Sequence, residues 1–290
     1  MLNEKNILIS KIENNLLIEK NISLDILRLD LLHPHISGNK WYKLKYNIEQ
    51  ALQENKHVLL SFGGAYSNHL HALAYAGFLK NIKTIGMVRG EKIDNDTLKD
   101  CKKWGMDIYF ISREEYRLKN EKSFLQKIKQ KFSNAYIIPE GGGNVLGAKG
   151  CEEILTNVDS KMYDIVCCAV GTGTTLAGII NSSKSKKILG FCTIKNAEYL
   201  KQDIEKFTHR KNWELIHTYH FGGFAKKNTV LIDFIKKFEF EQNFQLDIIY
   251  TSKMMFGVLD MIEANIIREG SKILVIHSGG LQGNRSTLLA

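Results

Sequence analysis

Lys40 is the residue around which the chemistry of this sequence gathers. It lies in Ser37-Gly38-Asn39-Lys40-Trp41-Tyr42-Lys43-Leu44-Lys45, where a small polar turn delivers one lysine to the start of an amphipathic helix. A lysine amine becomes a useful base or nucleophile near neutral pH only when burial or a neighbouring cation lowers its pKa. The chain holds 40 Lys and Arg residues, so that segment alone assigns nothing. The glycine-bearing loops downstream carry the argument.

Gly171-Thr172-Gly173-Thr174-Thr175-Leu176-Ala177-Gly178 follows an apolar strand and opens a helix. Its backbone N–H groups and threonine hydroxyls converge where the helix dipole is positive, which suits a phosphate dianion; a plain tight turn is the alternative. The spacing is neither the GxGxxG dinucleotide fingerprint nor a P-loop ending in Gly-Lys-Ser/Thr. Gly63-Gly64-Ala65-Tyr66-Ser67-Asn68-His69 is a second strand-loop-helix junction. Ser67 suits an N-cap. The same N–H groups also suit a substrate carboxylate, with the Asn68 amide on a ring oxygen. His69 and His71 stand two apart, on different helix faces, which argues against a metal site. Tyr250-Thr251-Ser252-Lys253 and His277-Ser278-Gly279-Gly280-Leu281-Gln282-Gly283 end two further strands, offering an aromatic face and neutral hydroxyls. Tyr250 as a core aromatic and Ser278 as a turn cap are the plainer readings. Ligands of open α/β sheets bind at the C-terminal strand ends, so these loops share one edge with Lys40.

The elements that must position them alternate. Short apolar runs predict strands over 25–30, 58–62, 84–88, 107–111, 135–138, 164–170, 188–193, 214–219, 247–250 and 272–277. Amphipathic spacing predicts helices from Lys40 onward, over 96–104, 124–132, 198–207, 230–238 and 254–268, and opening near 67, 146 and 174. The first twenty-odd residues are weakly patterned. The fold class is α/β: mostly parallel sheets covered on both faces, in two three-layer domains. Residues 45–145 are expected to form a small inserted domain, and 1–44 with 146–290 the large one. Gly141-Gly142-Gly143 between them reads as a hinge, a close crossing or an ordinary turn.

Net charge is +9, with 44% hydrophobic and 24% charged residues. The lysines scatter over helix faces, which points to a solvated surface and away from nucleic acid. Cys101, Cys151, Cys167, Cys168 and Cys192 show no CxxC spacing, which argues against a disulfide framework or zinc site. Neither a signal pattern nor a run of about 18 apolar residues occurs, so a cytoplasmic protein without membrane contact is expected.

Taken in order, SGNKWYKLKYN, FGGAYSNHLHALA, GTGTTLAG, YTSKMM and HSGGLQGN resemble segments of the 1-aminocyclopropane-1-carboxylate deaminase / D-cysteine desulfhydrase family. These are pyridoxal-phosphate enzymes of fold type II, similar to the tryptophan synthase β subunit. The resemblance implies that Lys40 carries pyridoxal 5'-phosphate covalently and that Gly171, Thr172, Gly173, Thr174 and Thr175 bind its phosphate. It further implies that Ser67, Asn68 and His69 hold the substrate carboxylate and a cofactor oxygen, with Tyr250 beside the ring. At Thr251 the deaminases have glutamate and at Ser278 leucine, whereas the desulfhydrases carry hydroxyl residues at both. A neutral partner leaves the pyridine nitrogen less protonated, which suffices for removing an α-proton and expelling a β-substituent. Phe224 stands where many relatives have tyrosine, so the resemblance implies a substrate-binding position that lacks a phenol serving as substrate contact or proton donor.

The expected activity is therefore D-cysteine desulfhydrase-like elimination from a small amino acid to pyruvate, ammonia and sulfide, with Lys40 or Ser67 as base and Tyr250 assisting. The alternatives are a family member of other or no activity, a racemase or a dehydratase. A nucleotide-binding α/β protein is a further rival, weakened by the missing acidic ribose partner. The family resemblance also implies a homodimer.

Overall fold

The computed structural model describes residues 7–36 and 38–286; Ser37 of the Lys40 turn and the N-terminal residues 1–6 lie outside them. The chain opens with β1 (Ile9–Ile12), α1 (Asn15–Glu19) and β2 (Ser23–Arg28). Then come α2 (Asn39–Gln53), β3 (Val58–Gly63), α3 (Asn68–Lys80), β4 (Lys83–Arg89), α4 (Asp96–Lys103), β5 (Met106–Ile111), α5 (Arg113–Arg117), α6 (Lys122–Lys131) and β6 (Ala135–Ile138). The second half supplies α7 (Val145–Glu152), β7 (Ile165–Val170), α8 (Thr174–Ser182), β8 (Lys187–Cys192), α9 (Leu200–Glu205), β9 (Trp213–Ile216), α10 (Thr229–Gln242), α11 (Thr251–Glu263) and β10 (Lys272–His277).

These strands build a six-stranded sheet in the order β1-β2-β10-β7-β8-β9 and a four-stranded sheet in the order β5-β4-β3-β6. All pairings are parallel except β1 with β2. The four-stranded sheet comes wholly from the middle of the chain, between the two segments that supply the larger one. Alternation along the central strands explains the burial of both faces. On β10, Leu274 and Ile276 face one core with Val166 and Cys168, while Ile273 and Val275 face another with Cys167 and Ala169. Cys167 and Cys168 thus act as small core hydrophobes, and the five cysteines are free and buried. No helix among the described residues is long and apolar enough to cross a membrane.

Three differences from the sequence reading have local causes. The strand predicted over 247–250 is a turn, because the Asp247 carboxylate accepts the N–H groups of Ile249, Tyr250 and Thr251 and so starts α11 early. That helix also ends early, at Glu263, since Asn265 adopts a left-handed φ of 56° and Ile266 N–H folds back to the Met261 carbonyl. The weakly patterned N-terminus holds β1, an antiparallel edge strand too short to show a period.

Close helix packing sets where Lys40 stands. Helix α7 is wedged between α2 and α8. A Cβ on Gly150 would fall 1.8 Å from the Tyr42 carbonyl oxygen, and one on Gly178 would fall 2.4 Å from Cys151 Cβ. Gly142, with φ 68°, crosses so near that a Cβ would lie 2.9 Å from Lys43 Cβ, so the glycine trio includes a close crossing. Replacing Gly150 by Ala, normally favourable inside a helix, is expected here to cost about 1–3 kcal/mol by forcing α2 away from α7. Urea unfolding measures this, and a variant as stable as wild type would contradict the packing.

Candidate active site

Helix α2 brings two lysines to one face, because positions 40 and 43 are neighbours at i, i+3. Lys40 Nζ lies 2.8 Å from Asn39 Oδ1 and 6.0 Å from the centre of the Tyr250 ring. Burial of the amine, and then the like charge of Lys43, bring its pKa down to about 7. Lys43 is itself buried, its pKa lowered by desolvation, and its Nζ donates to Thr172 Oγ1 at 3.2 Å. Asn39 completes the link by donating from Nδ2 to Thr175 Oγ1 at 2.8 Å. The start of α2 is fixed in turn by the loop after β10. Asn39 N–H donates to the Ser278 carbonyl at 3.2 Å, and a Cβ on Gly38 would sit 2.2 Å from that oxygen.

The Gly171–Thr175 loop is built for an anion. Gly173, with φ 79°, occupies the cap of α8 and leaves the first-turn N–H groups without a side-chain cap. Thr172 and Thr174 hydroxyls lie 3.3 Å apart, with the Lys43 amine on the former. Neutral donors, a helix dipole and a buried cation converge there. Gly171 lets Tyr250 approach; a Cβ would meet the ring at 3.1 Å. Burial, then Asp247 and Glu140, raise the Tyr250 pKa and keep the phenol protonated.

At the other side of the cleft, Ser67 caps α3 by accepting the Leu70 N–H at 3.2 Å, as its residue type suggested. Asn68 Oδ1 accepts from Gln282 Nε2, which ties the α3 loop to the loop after β10. Gly280 lies against it, where a Cβ would fall 2.8 Å from Asn68 Nδ2. His69 is buried and neutral, its pKa pushed down to about 3 by desolvation and then by Lys40 and Lys43. Ser61 gives its only proton to the Ile138 carbonyl at 2.8 Å, so His69 Nε2–H donates to Ser61 at 2.9 Å and Nδ1 remains a buried lone pair without a partner. His71 instead contacts Asp100, at 3.1 Å.

Thr251, expected beside the cofactor, spends its hydroxyl on a near neighbour. Its hydroxyl proton goes to Asp247 Oδ2 at 2.7 Å, and its oxygen accepts the Asp247 N–H at 2.9 Å. Thr251 therefore anchors Asp247, which positions Tyr250. Phe224, half exposed, sets its ring 6.1 Å from that of Tyr250, edge to face. Sequence reasoning missed Asn39, Lys43 and Asp247. The Lys40–Lys43 spacing was a usable signal, and so was an Asp four residues before Thr251 at a helix start.

This donor set fits pyridoxal phosphate. Gly171 and Gly173–Thr175 with Lys43 offer a dianion site, Tyr250 a flat face, and Lys40 a primary amine that is half neutral near pH 7.

Comparison with known proteins agrees. The profile of the pyridoxal-phosphate dependent enzymes matches residues 21–279. A putative 1-aminocyclopropane-1-carboxylate deaminase of Thermotoga maritima is 30% identical over 269 residues, covering 85% of each chain. The mitochondrial bifunctional D-cysteine desulfhydrase/1-aminocyclopropane-1-carboxylate deaminase of Arabidopsis thaliana is 27% identical, covering 89% of this chain and 72% of its own. Among solved structures, an ACC deaminase homologue superposes with TM-score 0.83 at 24% identity, covering 98% of this chain and 92% of its own, and shares the fold. The O-acetylserine dependent cystathionine beta-synthase of Helicobacter pylori shares it at TM-score 0.67 and 15% identity, covering 98% and 95%. The chain belongs to the pyridoxal-phosphate dependent enzymes of fold type II, in the family of the 1-aminocyclopropane-1-carboxylate deaminases and D-cysteine desulfhydrases.

Proposed function

We propose that this lyase-family enzyme eliminates the β-substituent of a small amino acid, with D-cysteine as substrate and pyruvate, ammonia and sulfide as products. The observation that carries the reading is the Lys40 amine, poised near pH 7 between the anion loop and the protonated phenol of Tyr250. No carboxylate extends from position 251, where the deaminases place glutamate, and the nearby Asp247 spends its oxygens on Thr251 and the α11 N-terminus.

In this reading Lys40 carries the cofactor. Gly171–Thr175 and Lys43 would hold its phosphate, with Tyr250 and Asn68 as its aromatic and amide partners. Ser278 and Thr251 would supply neutral hydroxyl groups toward the ring nitrogen. When bound, pyridoxal phosphate supplies an electron sink for negative charge at the substrate α-carbon. The helix-end N–H groups of Asn68 and His69 beside Ser67 orient the substrate carboxylate. Lys40 takes the α-proton, and its lowered pKa provides neutral amine for that purpose. Ser67 is the weaker base candidate, since its oxygen is engaged as the α3 cap. The Tyr250 phenol gives a proton to the departing sulfur. With one water consumed, D-cysteine yields pyruvate, ammonia and hydrogen sulfide in balance. Phe224 brings no phenol to this site, which favours, as second reading, a member that binds cofactor with little turnover.

D-Cysteine supplied to the holoenzyme is expected to release pyruvate and sulfide in equal amounts, and Lys40→Ala to lower the rate by about 10³-fold or more. Bound cofactor with no product from D- or L-amino acids would favour the second reading. The pH dependence of cofactor attachment gives a separate check. Covalent attachment needs the neutral amine, so its rate should rise through about pH 7 and level off above, whereas an ordinary lysine would keep gaining beyond about pH 9. Lys43→Met removes a like charge that lowers the Lys40 pKa, so the midpoint should move upward. A midpoint unmoved or moved downward would contradict the coupling.

A further inference from the structure

Lys253 is 1% exposed, and backbone carbonyls accept from its amine. It stands on α11 three residues after Tyr250, so both share one face of the helix start. Its Nζ donates to the His220 carbonyl at 2.9 Å and to the Gly223 carbonyl at 2.8 Å. Both carbonyls belong to the connection between β9 and α10, where Phe221, Gly222, Gly223 and Ala225 all have positive φ: 50°, 89°, 119° and 57°. Two of these carry a Cβ, in a region that costs about 1–2 kcal/mol per residue. Such backbone keeps its shape only when its surroundings fix it.

The surroundings do so from several sides. Gly223 N–H closes a turn on the His220 carbonyl at 3.0 Å, and Gly222 N–H bonds His220 Nδ1 at 3.0 Å. The Phe221 ring packs edge-on against Phe256 of α11, centroids 5.0 Å apart. Between these anchors the connection presents Phe224, 47% exposed, with its ring towards Tyr250. A buried cation held by neutral carbonyls is a costly way to fill space, and an apolar side chain of that length would serve packing alone. Burial brings its pKa to about 8, against the opposing pull of Asp247.

We propose that Lys253 is a positioning residue: by clamping the His220 and Gly223 carbonyls it sets Phe224 against Tyr250 as the wall of the subsite that receives the substrate side chain. An aromatic wall without a hydroxyl suits a short, weakly hydrated leaving group such as a thiol, and it excludes a bulky one. The substrate class rests on the proposed function; the clamp itself does not.

The test uses the holoenzymes of wild type, Lys253→Met, Lys253→Gln and Phe224→Ala. Hydrogen exchange read by mass spectrometry on a peptide spanning 219–228 reports the clamp without turnover. Lys253→Met is expected to keep the cofactor absorbance, to speed exchange at 221–225 about tenfold or more, and to raise the KM for D-cysteine about tenfold with kcat within about threefold. Discrimination against S-benzyl-D-cysteine should fall in both Lys253→Met and Phe224→Ala. Lys253→Gln, which retains a donor, should fall between wild type and Met, and it replaces Met in every comparison if that variant does not fold. Unchanged exchange would overturn the clamp. Faster exchange with unchanged KM and unchanged discrimination would overturn the subsite wall. If wild type turns over neither amino acid, the proposed substrate class fails while the exchange result still decides the clamp.

Discussion

Two lysine amines held on one face of α2, with amide and hydroxyl groups as their hydrogen-bond partners, are the constraint on which the site depends. Desolvation lowers both pKa values and the Lys43 charge lowers that of Lys40 further, so a dianion at the Gly171–Thr175 loop would offset the buried positive charge. The arrangement requires α2 to lie close to α7 and α7 close to α8, which explains glycine at 150 and 178. It also requires the loop after β10 to meet the start of α2, where Gly38 gives way to the Ser278 carbonyl. Lys40 is thus placed by contacts from both halves of the chain.

Asp247 plays the corresponding part on the opposite wall. One carboxylate gathers three backbone N–H groups and the Thr251 hydroxyl, and this turn orients Tyr250 at the anion loop. Its hold on the Thr251 hydroxyl leaves position 251 presenting neither a carboxylate nor a free hydroxyl proton. Lys253 extends the same helix end outward to the connection that carries Phe224.

Much of this was legible in the sequence because it is local. Gly171–Thr175 and Ser67–His69 announce themselves as loops between an apolar run and an amphipathic one, and a helix N-terminus has only one polarity. The alternation of strands and helices likewise follows from short-range periodicity. What escaped depends on contacts distant in sequence or on one side chain overriding a pattern. The apolar Ile248-Ile249 pair imitates a strand until Asp247 bends it. Lys43 and Lys253 look like any surface lysine until the fold buries them. The Thr251 hydroxyl is claimed by a neighbour four residues back.

The most direct test of the account is the identity of the lysine that carries the cofactor. Borohydride reduction of the holoprotein followed by peptide mass spectrometry would mark that residue with a pyridoxyl group. The mark is expected on Lys40, with Lys43 and Lys253 unmodified. A pyridoxyl group on Lys43 or Lys253 instead, or on no lysine of α2, would contradict it.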